Sequence, residues 1–452
     1  MRNEKLLIIG GNAAGMSAAS QARRRKRDGL DIIAFERGPT TSYSACGIPY
    51  YISDVIEDED QLVVRSPEVF REKYHIDARP FHEVHAIEPQ AQRILVRNFH
   101  DQKEWWEPYD ELLIATGAVP IWPNLPGSEA RGIYALSTLE SGVEVKEFVE
   151  QNKPKRGVIV GGGSIGVEMA EALVLRGMEV AIVEQSPHIM NIYDEDIGQR
   201  IAEVLKSNGV SIYTGESLAA YEVKNGAISG AVTDKRTLPA ELVIISIGVQ
   251  PDTQLAREAG ILLGTKDAIV VNDRMQTPTD RIWAAGDCAE SFHLISRQPV
   301  YIALGTIANR QGRVAGINLG GGQARFPGVL GTAISKVFDI EFARTGLQER
   351  EVRELGLEYV SGVIKSLTHA GYYPEAGDIT VKLIAEKKSG RLLGGQIIGE
   401  SGSGKRIDTI ATALHEGLTA EEMINVDLSY SPPYSPVWDP VATAARKVAS
   451  LL

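Results

Sequence analysis

A glycine-rich turn between an apolar strand and a helix occurs twice in this chain, and this repeat limits the possible folds more than any other feature. In the first copy, an apolar segment at 5–9 leads into the turn 10–15. A helical segment at 16–27 and a second strand at 31–36 follow. This order of elements predicts a βαβ unit of the kind that binds nucleotides.

The second copy begins near residue 156 and has the same order. A strand at 156–160 leads into the turn 161–166, then into a helix that ends at Arg176, and a further strand covers 179–184. One glycine turn alone is often a plain tight turn. Two complete units instead predict a protein that binds two dinucleotides.

The glycines give the physical reason for this prediction. Gly161, Gly163 and Gly166 fit the G-x-G-x-x-G fingerprint, whereas Asn12 replaces the second glycine of the first turn. Glycine permits the tight turn and lets a pyrophosphate approach the free N–H groups where the helix begins. The first turn is therefore a weaker match than the second.

Each unit also closes on a glutamate, Glu36 in the first copy and Glu184 in the second. A carboxylate at this point accepts hydrogen bonds from ribose hydroxyls. Because Glu184 would repel a 2′-phosphate and its neighbours Gln185 and Ser186 supply no cation, the second unit should prefer NADH to NADPH, although NADPH stays possible.

Composition excludes several classes of function. The 452 residues suit two or three domains, and a net charge of −12 with no basic tract beyond 23–27 argues against nucleic acid as a partner. The absence of a signal-peptide pattern and of an apolar run of about 18 residues predicts a cytoplasmic protein without a membrane partner. Cys46 and Cys288 are too few for a disulfide scaffold and lack metal-ligand spacing.

Two further segments, 110–117 and 280–287, each read as a strand that ends in a small-residue turn, Ala-Thr-Gly in the first and Ala-Gly-Asp in the second. With these four elements in this order, the whole chain resembles the flavoprotein pyridine-nucleotide disulfide reductase superfamily. The resemblance implies that the first unit binds FAD and the second binds NAD(P)H.

The resemblance also implies a fold class: α/β, with two Rossmann-like dinucleotide-binding domains plus a C-terminal α+β dimerisation domain. It places a discontinuous FAD-binding domain at 1–117 and 246–325, an NAD(H)-binding domain at 118–245 and the interface domain at 326–452. Residues implied for FAD are Gly10, Ala13, Ala14, Gly15, Glu36, Arg37, Ala115, Thr116, Gly117 and Asp287. Residues implied for NAD(P)H are Gly161, Gly163, Ser164, Ile165, Gly166, Glu184 and Gly248.

Cys46 is the candidate redox thiol. It lies among Ser, Tyr and Gly residues before a short helix expected at 47–53, whose free N–H groups would favour a thiolate. Cys288 is expected to be a silent core residue. Position 51, where two-cysteine relatives carry the second thiol, is Tyr51, so the chain resembles the single-cysteine branch of coenzyme A disulfide reductases, NADH oxidases, NADH peroxidases and coenzyme A persulfide reductases.

Within this branch, the segments at 46–51, 369–374 and 430–436 are similar to those of coenzyme A disulfide reductases. The resemblance implies a homodimer in which Tyr372 and Tyr430 enter the partner's active site and assist protonation. Oxidase and peroxidase members tend to carry a histidine in the first glycine turn, where this chain has Ala13. Residues implied for coenzyme A are Gln21, Arg24, Ser42, Tyr43 and Asn309.

The predicted activity is NAD(P)H-dependent reduction of coenzyme A disulfide, a small-molecule substrate, through a mixed disulfide between Cys46 and coenzyme A. The family often has Asn before the cysteine, where this chain has Ala45. The alternatives are an NADH oxidase and a coenzyme A persulfide or polysulfide reductase. From a different class, a flavoprotein that senses NADH without turnover also remains open.

Overall fold

The computed structural model describes residues 3–452, and its strands fall into three five-stranded sheets and several smaller ones. In chain order the strands are β1 (Glu4–Ile9), β2 (Leu30–Phe35), β3 (Asp77–Arg79), β4 (His82–Glu88), β5 (Arg93–Asn98), β6 (Glu104–Pro108), β7 (Glu111–Ile114), β8 (Ala118–Pro120), β9 (Ile133–Ala135), β10 (Arg156–Val160), β11 (Glu179–Glu184), β12 (Ser211–Thr214), β13 (Leu218–Lys224), β14 (Ala227–Thr233), β15 (Thr237–Pro239), β16 (Leu242–Ile245), β17 (Val249–Pro251), β18 (Ile282–Ala284), β19 (Ser291–Phe292), β20 (Pro299–Val300), β21 (Ala333–Val337), β22 (Ile340–Gly346), β23 (Tyr359–Leu367), β24 (Asp378–Glu386) and β25 (Leu392–Gly399).

The helices connect and cover these sheets. In chain order they are α1 (Ala13–Arg25), α2 (Ile48–Ile52), α3 (Pro67–Tyr74), α4 (Leu139–Asn152), α5 (Ser164–Leu175), α6 (Glu195–Ser207), α7 (Gln254–Glu258), α8 (Gly305–Leu319), α9 (Glu349–Glu354), α10 (Ile407–Glu416), α11 (Ala420–Ile424) and α12 (Pro440–Ala449). Short 3₁₀ turns lie at Ala45–Gly47, Glu59–Leu62, Thr265–Asp267 and Gly404–Arg406.

The two glycine turns lie in two parallel sheets built on the same plan. The first sheet has the order β18-β7-β1-β2-β3, and the second has the order β9-β16-β10-β11-β12 when read in the same direction. In each sheet the strand before the glycine turn lies at the centre and pairs in parallel with the strand that follows the helix. Both predicted βαβ units are therefore present, and the repeat extends to the whole sheet.

The repeat also includes a feature that the sequence did not predict. Before returning to its parallel sheet, each half forms a three-stranded antiparallel sheet, β4-β5-β6 in the first half and β13-β14-β15 in the second. Short alternating strands of this kind carry a weaker sequence signal than the glycine turns.

The third five-stranded sheet is antiparallel and has the order β21-β22-β25-β24-β23. Buried side chains of α10, α11 and α12 join the core of this sheet. The α/β fold with two Rossmann-like sheets and a C-terminal α+β unit is confirmed. The domain boundaries within the chain stay a prediction.

Helices α1 and α8 pack unusually closely, which positions the first glycine turn. Gly312 and Gly316 lie one turn apart on α8, and a Cβ at either would stand 2.2 Å from the backbone oxygen of Ala14 or Ala18 on α1. A side chain at either glycine would force the helices apart.

The chain passes between the two parallel sheets through a pair of short strands. It leaves the first sheet after β7 as β8, and returns after β16 as β17, which pairs with β8 in antiparallel fashion. The turn at Ala115–Gly117 and Gly248 flank this crossing, and the amide of Asp252 donates to the carbonyl of Gly117 at 2.9 Å. Within residues 3–452, every helix is too short or too polar to cross a bilayer.

Candidate active site

The first glycine turn is held by backbone contacts that only glycine allows. Gly10 has φ of +108°, and a Cβ there would stand 2.1 Å from the carbonyl oxygen of Ala115. A Cβ at Gly15 would stand 2.0 Å from the oxygen of Gly10. The turn therefore presses against the end of β7, and its helix begins at once, at Ala13.

The second turn has the same construction. Gly161 has φ of +105°, with the carbonyl oxygen of Ser246 only 2.4 Å from a Cβ at this position. A Cβ at Gly166 would stand 2.1 Å from the oxygen of Gly161. At Gly163, by contrast, a Cβ would meet nothing within 4 Å.

That open space explains why the first turn accepts Asn12 at the equivalent position. The Asn12 side chain uses the space to accept a hydrogen bond from the amide of Tyr43 at 3.2 Å. Asn12, the residue that departs from the fingerprint, therefore connects the first turn to the segment that carries Cys46.

The two glutamates are placed alike. Glu36 accepts hydrogen bonds from the amides of Gly11 at 2.8 Å and Gly38 at 2.9 Å. Glu184 accepts from the amides of Gly162 and Ser186, both at 2.7 Å. Each carboxylate thus lies directly beside its glycine turn, where a ribose would follow the pyrophosphate.

Asp287 gives a direct test of whether the first unit fits FAD. Its Oδ1 is buried without a hydrogen-bond partner, and burial raises the pKa of its carboxyl to about 6. Its loop lies against the start of α1, because a Cβ at Gly286 would stand 2.8 Å from the Ala14 side chain. A buried acceptor without a donor fits the hydroxyl groups of FAD.

Cys46 lies in the 3₁₀ turn Ala45–Gly47 and is exposed. The expected low pKa of Cys46 is wrong for the chain by itself. Although the residue is exposed, the protein around its sulfur removes part of its water, and the carboxylates of Glu168 and Asp287 repel the thiolate. The pKa of the thiol is therefore raised. The predicted helix is reduced to the five residues of α2, which begins after the thiol.

The other two positions that bear on the thiol chemistry are buried. Cys288 is fully buried in the core beneath the first sheet, as expected, and burial raises the pKa of its thiol to about 11. Tyr51 packs under the ammonium of Lys146, 4.0 Å from its ring centroid, and its hydroxyl donates to Glu59 at 2.8 Å. Position 51 therefore serves packing.

Tyr372 and Tyr430 come together on the surface of the C-terminal unit. They are 77% and 47% exposed, and a hydrogen bond to Tyr372 raises the pKa of the Tyr430 hydroxyl. Tyr434, Val437 and Trp438 extend the same exposed apolar surface. A patch of this kind marks a contact surface.

Comparison with known proteins identifies the family. The family model described as pyridine nucleotide-disulphide oxidoreductase matches residues 4–312, and the model of its dimerisation domain matches residues 332–441. The chain belongs to the pyridine nucleotide-disulphide oxidoreductase family. As a member of this family it is an oxidoreductase that uses FAD and NAD(P)H.

The relatives of this oxidoreductase do not all share one named activity. The NAD(P)H coenzyme A polysulfide/persulfide reductase of Pyrococcus horikoshii is 36% identical over 98% of both chains. The coenzyme A disulfide reductase of Staphylococcus haemolyticus is 29% identical over 99% of this chain and 100% of its own. The crystal structure of reduced Bacillus anthracis CoADR-RHD is 34% identical, with a TM-score of 0.97 over 100% of this chain and 81% of that chain.

The residues predicted to bind coenzyme A divide into two groups. Gln21 and Arg24 lie one and two turns after Ser17 on one face of α1, and the Ser17 hydroxyl donates to the Asn309 side chain at 2.7 Å. Tyr43 precedes the thiol and is held by Asn12; burial raises the pKa of its hydroxyl to about 12. Ser42 has a positive φ of 52° and lies in the same segment. Their substrate roles stay predictions.

Three positions missed by the sequence analysis support this site. Gln311 is fully buried and accepts from the amide of Gly286 at 2.8 Å, which fixes the Asp287 loop. Arg406 donates to the carbonyls of Thr368 and Tyr434, and so joins the two tyrosine segments. The sequence carries no signal for either role, because both partners are backbone atoms distant in the chain.

Glu168, the third, lies on α5 and affects the thiol directly. Its carboxylate accepts from the Ser335 hydroxyl at 2.7 Å, burial raises its pKa, and its negative charge repels the Cys46 thiolate. In the sequence, Glu168 could have been recognised only by its position four residues after Ser164, on the helix that follows the second turn.

Replacing Glu168 with glutamine is expected to lower the pKa of Cys46, because a repelling charge is removed. Alkylation of Cys46 by iodoacetamide at pH 7.5 should then accelerate roughly threefold to tenfold in the dithiothreitol-reduced, FAD-loaded enzyme. Mass spectrometry measures the rate of Cys46 alkylation at a series of pH values, which gives a pH profile for each variant. Glu171→Gln, one turn further along α5, is the matched control, and equal profiles for both variants would contradict the prediction.

Proposed function

We propose that this enzyme uses NADH to reduce coenzyme A disulfide to two coenzyme A thiols through Cys46. The observation that carries the proposal is the environment of this thiol. Cys46 is exposed, while position 51 holds a buried tyrosine and Cys288 is sealed in the core. The second sulfur of a disulfide exchange must then come from the substrate.

The exchange would balance as follows. The Cys46 thiolate attacks one sulfur of coenzyme A disulfide, which forms a Cys46–coenzyme A disulfide and releases one coenzyme A thiolate. The first glycine turn, Glu36 and Asp287 would hold FAD, which would pass on the two electrons of NADH that cleave this mixed disulfide. The second coenzyme A leaves as a thiolate and Cys46 returns to its reduced form. Each released thiolate takes up one proton.

Tyr372 and Tyr430 would deliver those protons in the partner's site of a homodimer. Support comes from the interaction with Tyr372 that raises the pKa of Tyr430, from the exposure of both side chains and from the match to the family's dimerisation domain. A phenol beside a second phenol can donate a proton to a leaving thiolate. The two tyrosines would then take the part of a histidine general acid.

Changing Tyr430 to phenylalanine is expected to reduce kcat for coenzyme A disulfide by about 10- to 100-fold, because the proton donor is lost. Reduction of bound FAD by NADH should not change. Stopped-flow and steady-state kinetics separate the two steps. Tyr434→Phe removes a hydroxyl from the same exposed surface and should behave as the unaltered enzyme; an equal loss in both variants would argue for a purely structural role.

A second candidate acceptor is coenzyme A persulfide, which the 36% identity to the Pyrococcus horikoshii reductase favours. In that reaction the persulfide and NADH give coenzyme A thiol and hydrogen sulfide. The same thiol would attack the same class of sulfur bond.

Anaerobic kinetics with NADH and coenzyme A disulfide, coenzyme A persulfide and hydrogen peroxide, beside an aerobic oxidase assay, test the proposal. We expect the highest kcat/KM for the disulfide. A higher value for the persulfide would favour the second candidate, and faster turnover of oxygen would identify an NADH oxidase. Turnover of none of them would favour a sensor of NADH.

A further inference from the structure

The loop at residues 185–194, between β11 and α6, forms one wall of the second glycine turn. The amide of Ser186 donates to Glu184 at 2.7 Å, and the amide of Met190 donates to the carbonyl of Gly162 at 2.7 Å. A Cβ at Gly162 would stand 2.6 Å from the Ile189 side chain. The position of this loop therefore sets the position of the Glu184 carboxylate.

The loop is held by the C-terminal unit as well as by its own sheet, where the amide of Gly215 donates to the carbonyl of Ser186 at 3.0 Å. The side chain of Gln348 donates to the carbonyl of Asn191 at 3.2 Å, and Asn191 in turn donates to the Ser186 hydroxyl at 3.2 Å. At the end of the loop, Gln396 accepts from the amide of Asp194 at 2.9 Å and donates to its carboxylate at 2.7 Å.

Lys382 on β24 is the centre of this contact. Its ammonium lies 3.0 Å from Asp194, 3.0 Å from Asp196 and 3.1 Å from Glu349, and its side chain is only 6% exposed. Burial opposes the charge, but the neighbouring carboxylates outweigh it and raise the pKa of the ammonium. Without Lys382, the buried Asp194 carboxylate would lose its counterion, and the loop its anchor.

We propose that Lys382, together with Gln396 and Gln348, is a positioning residue for NADH. By fixing the loop at 185–194, these side chains of the dimerisation domain hold Glu184 where it accepts the ribose hydroxyls and repels a 2′-phosphate. The inference rests on the proposed assignment of Glu184 to the ribose of NADH, and it connects the interface domain to coenzyme selection.

Lys382→Met is expected to raise the dissociation constant for NAD⁺ about tenfold, because a displaced loop misplaces Glu184. The ratio of the dissociation constants for NADP⁺ and NAD⁺ should fall at least about threefold by the same reasoning. Titration calorimetry on the FAD-loaded, oxidised enzyme measures both without turnover. Lys382→Arg should restore most of the selectivity. Lys388→Met is the matched control, because Lys388 is an exposed lysine in the turn that follows β24.

Several outcomes separate this inference from the proposal on which it rests. If Glu184→Ala leaves both dissociation constants unchanged, the assignment of the second motif is wrong. If Glu184→Ala shifts them and Lys382→Met does not, only the positioning role is overturned. Should Lys382→Met fail to load FAD, Gln348→Ala, which removes the contact to Asn191, takes its place with the same expected fall in selectivity.

Discussion

Cys46→Ser is expected to lower kcat for coenzyme A disulfide by at least about 10³-fold, while NADH still reduces the bound FAD. A serine hydroxyl cannot form a disulfide, and its pKa lies far above that of a thiol, so the exchange has no first step. Because Cys46 is exposed, the substitution should leave the fold intact. Anaerobic steady-state assays measure the loss, and stopped-flow absorbance follows reduction of FAD.

Cys288→Ala is the control for this substitution. Cys288 is fully buried, so the variant should lose about 1 kcal/mol of stability through a small cavity and keep its activity within about twofold. Mass spectrometry should find coenzyme A attached to the unaltered enzyme and to Cys288→Ala, but not to Cys46→Ser. Retained disulfide reduction in Cys46→Ser would remove the basis of the proposed mechanism.

The parts of the fold that the sequence predicts are those fixed by local backbone constraints. Gly10 and Gly161 adopt positive φ, and the helix that follows each turn buries residues at helical spacing, such as Met16 and Ala19 on α1 and Val167 and Ala170 on α5. These constraints involve residues close together in the chain, so the two βαβ units, with strands ending at 35 and 184, are recognisable without a structure.

The features of the candidate site that the sequence does not predict depend on contacts between distant segments. The raised pKa of Cys46 comes from desolvation and from the carboxylates of Glu168 and Asp287, both distant from it in the chain, and the pairing of Tyr372 with Tyr430 requires two loops to meet. Lys382 looks like an ordinary strand residue until its three carboxylates are seen around it. Tertiary packing creates these environments, and no sequence spacing encodes them.

Asp287→Asn is expected to weaken FAD binding and, in the FAD-free protein, to increase stability. With FAD bound, the carboxylate accepts a hydrogen bond that the amide cannot match in strength, so we expect the dissociation constant to rise about 10- to 100-fold. Without FAD, the same buried carboxylate has no partner, and its pKa of about 6 stands above the ordinary value of 3.8.

The sign of the pH dependence follows from that raised pKa. The folded protein binds the Asp287 proton more tightly than the unfolded chain, so the contribution of this group to stability falls as pH rises from about 4 to about 6 and reaches its full cost above that range. That cost is about 3 kcal/mol. The advantage of the variant should therefore grow by about 1 to 2 kcal/mol between pH 5 and pH 8.

Urea unfolding of the FAD-free proteins at both pH values, together with titration of FAD back into them, measures the two opposed effects. Asp280→Asn is the matched control, because the Asp280 side chain is almost fully exposed and should change neither quantity. A variant at Asp287 that loses FAD affinity and also loses stability without FAD would mean that the carboxylate has a partner of its own in the folded chain. A gain in stability with a loss of affinity instead identifies Asp287 as a group whose buried charge is stabilised by the cofactor alone.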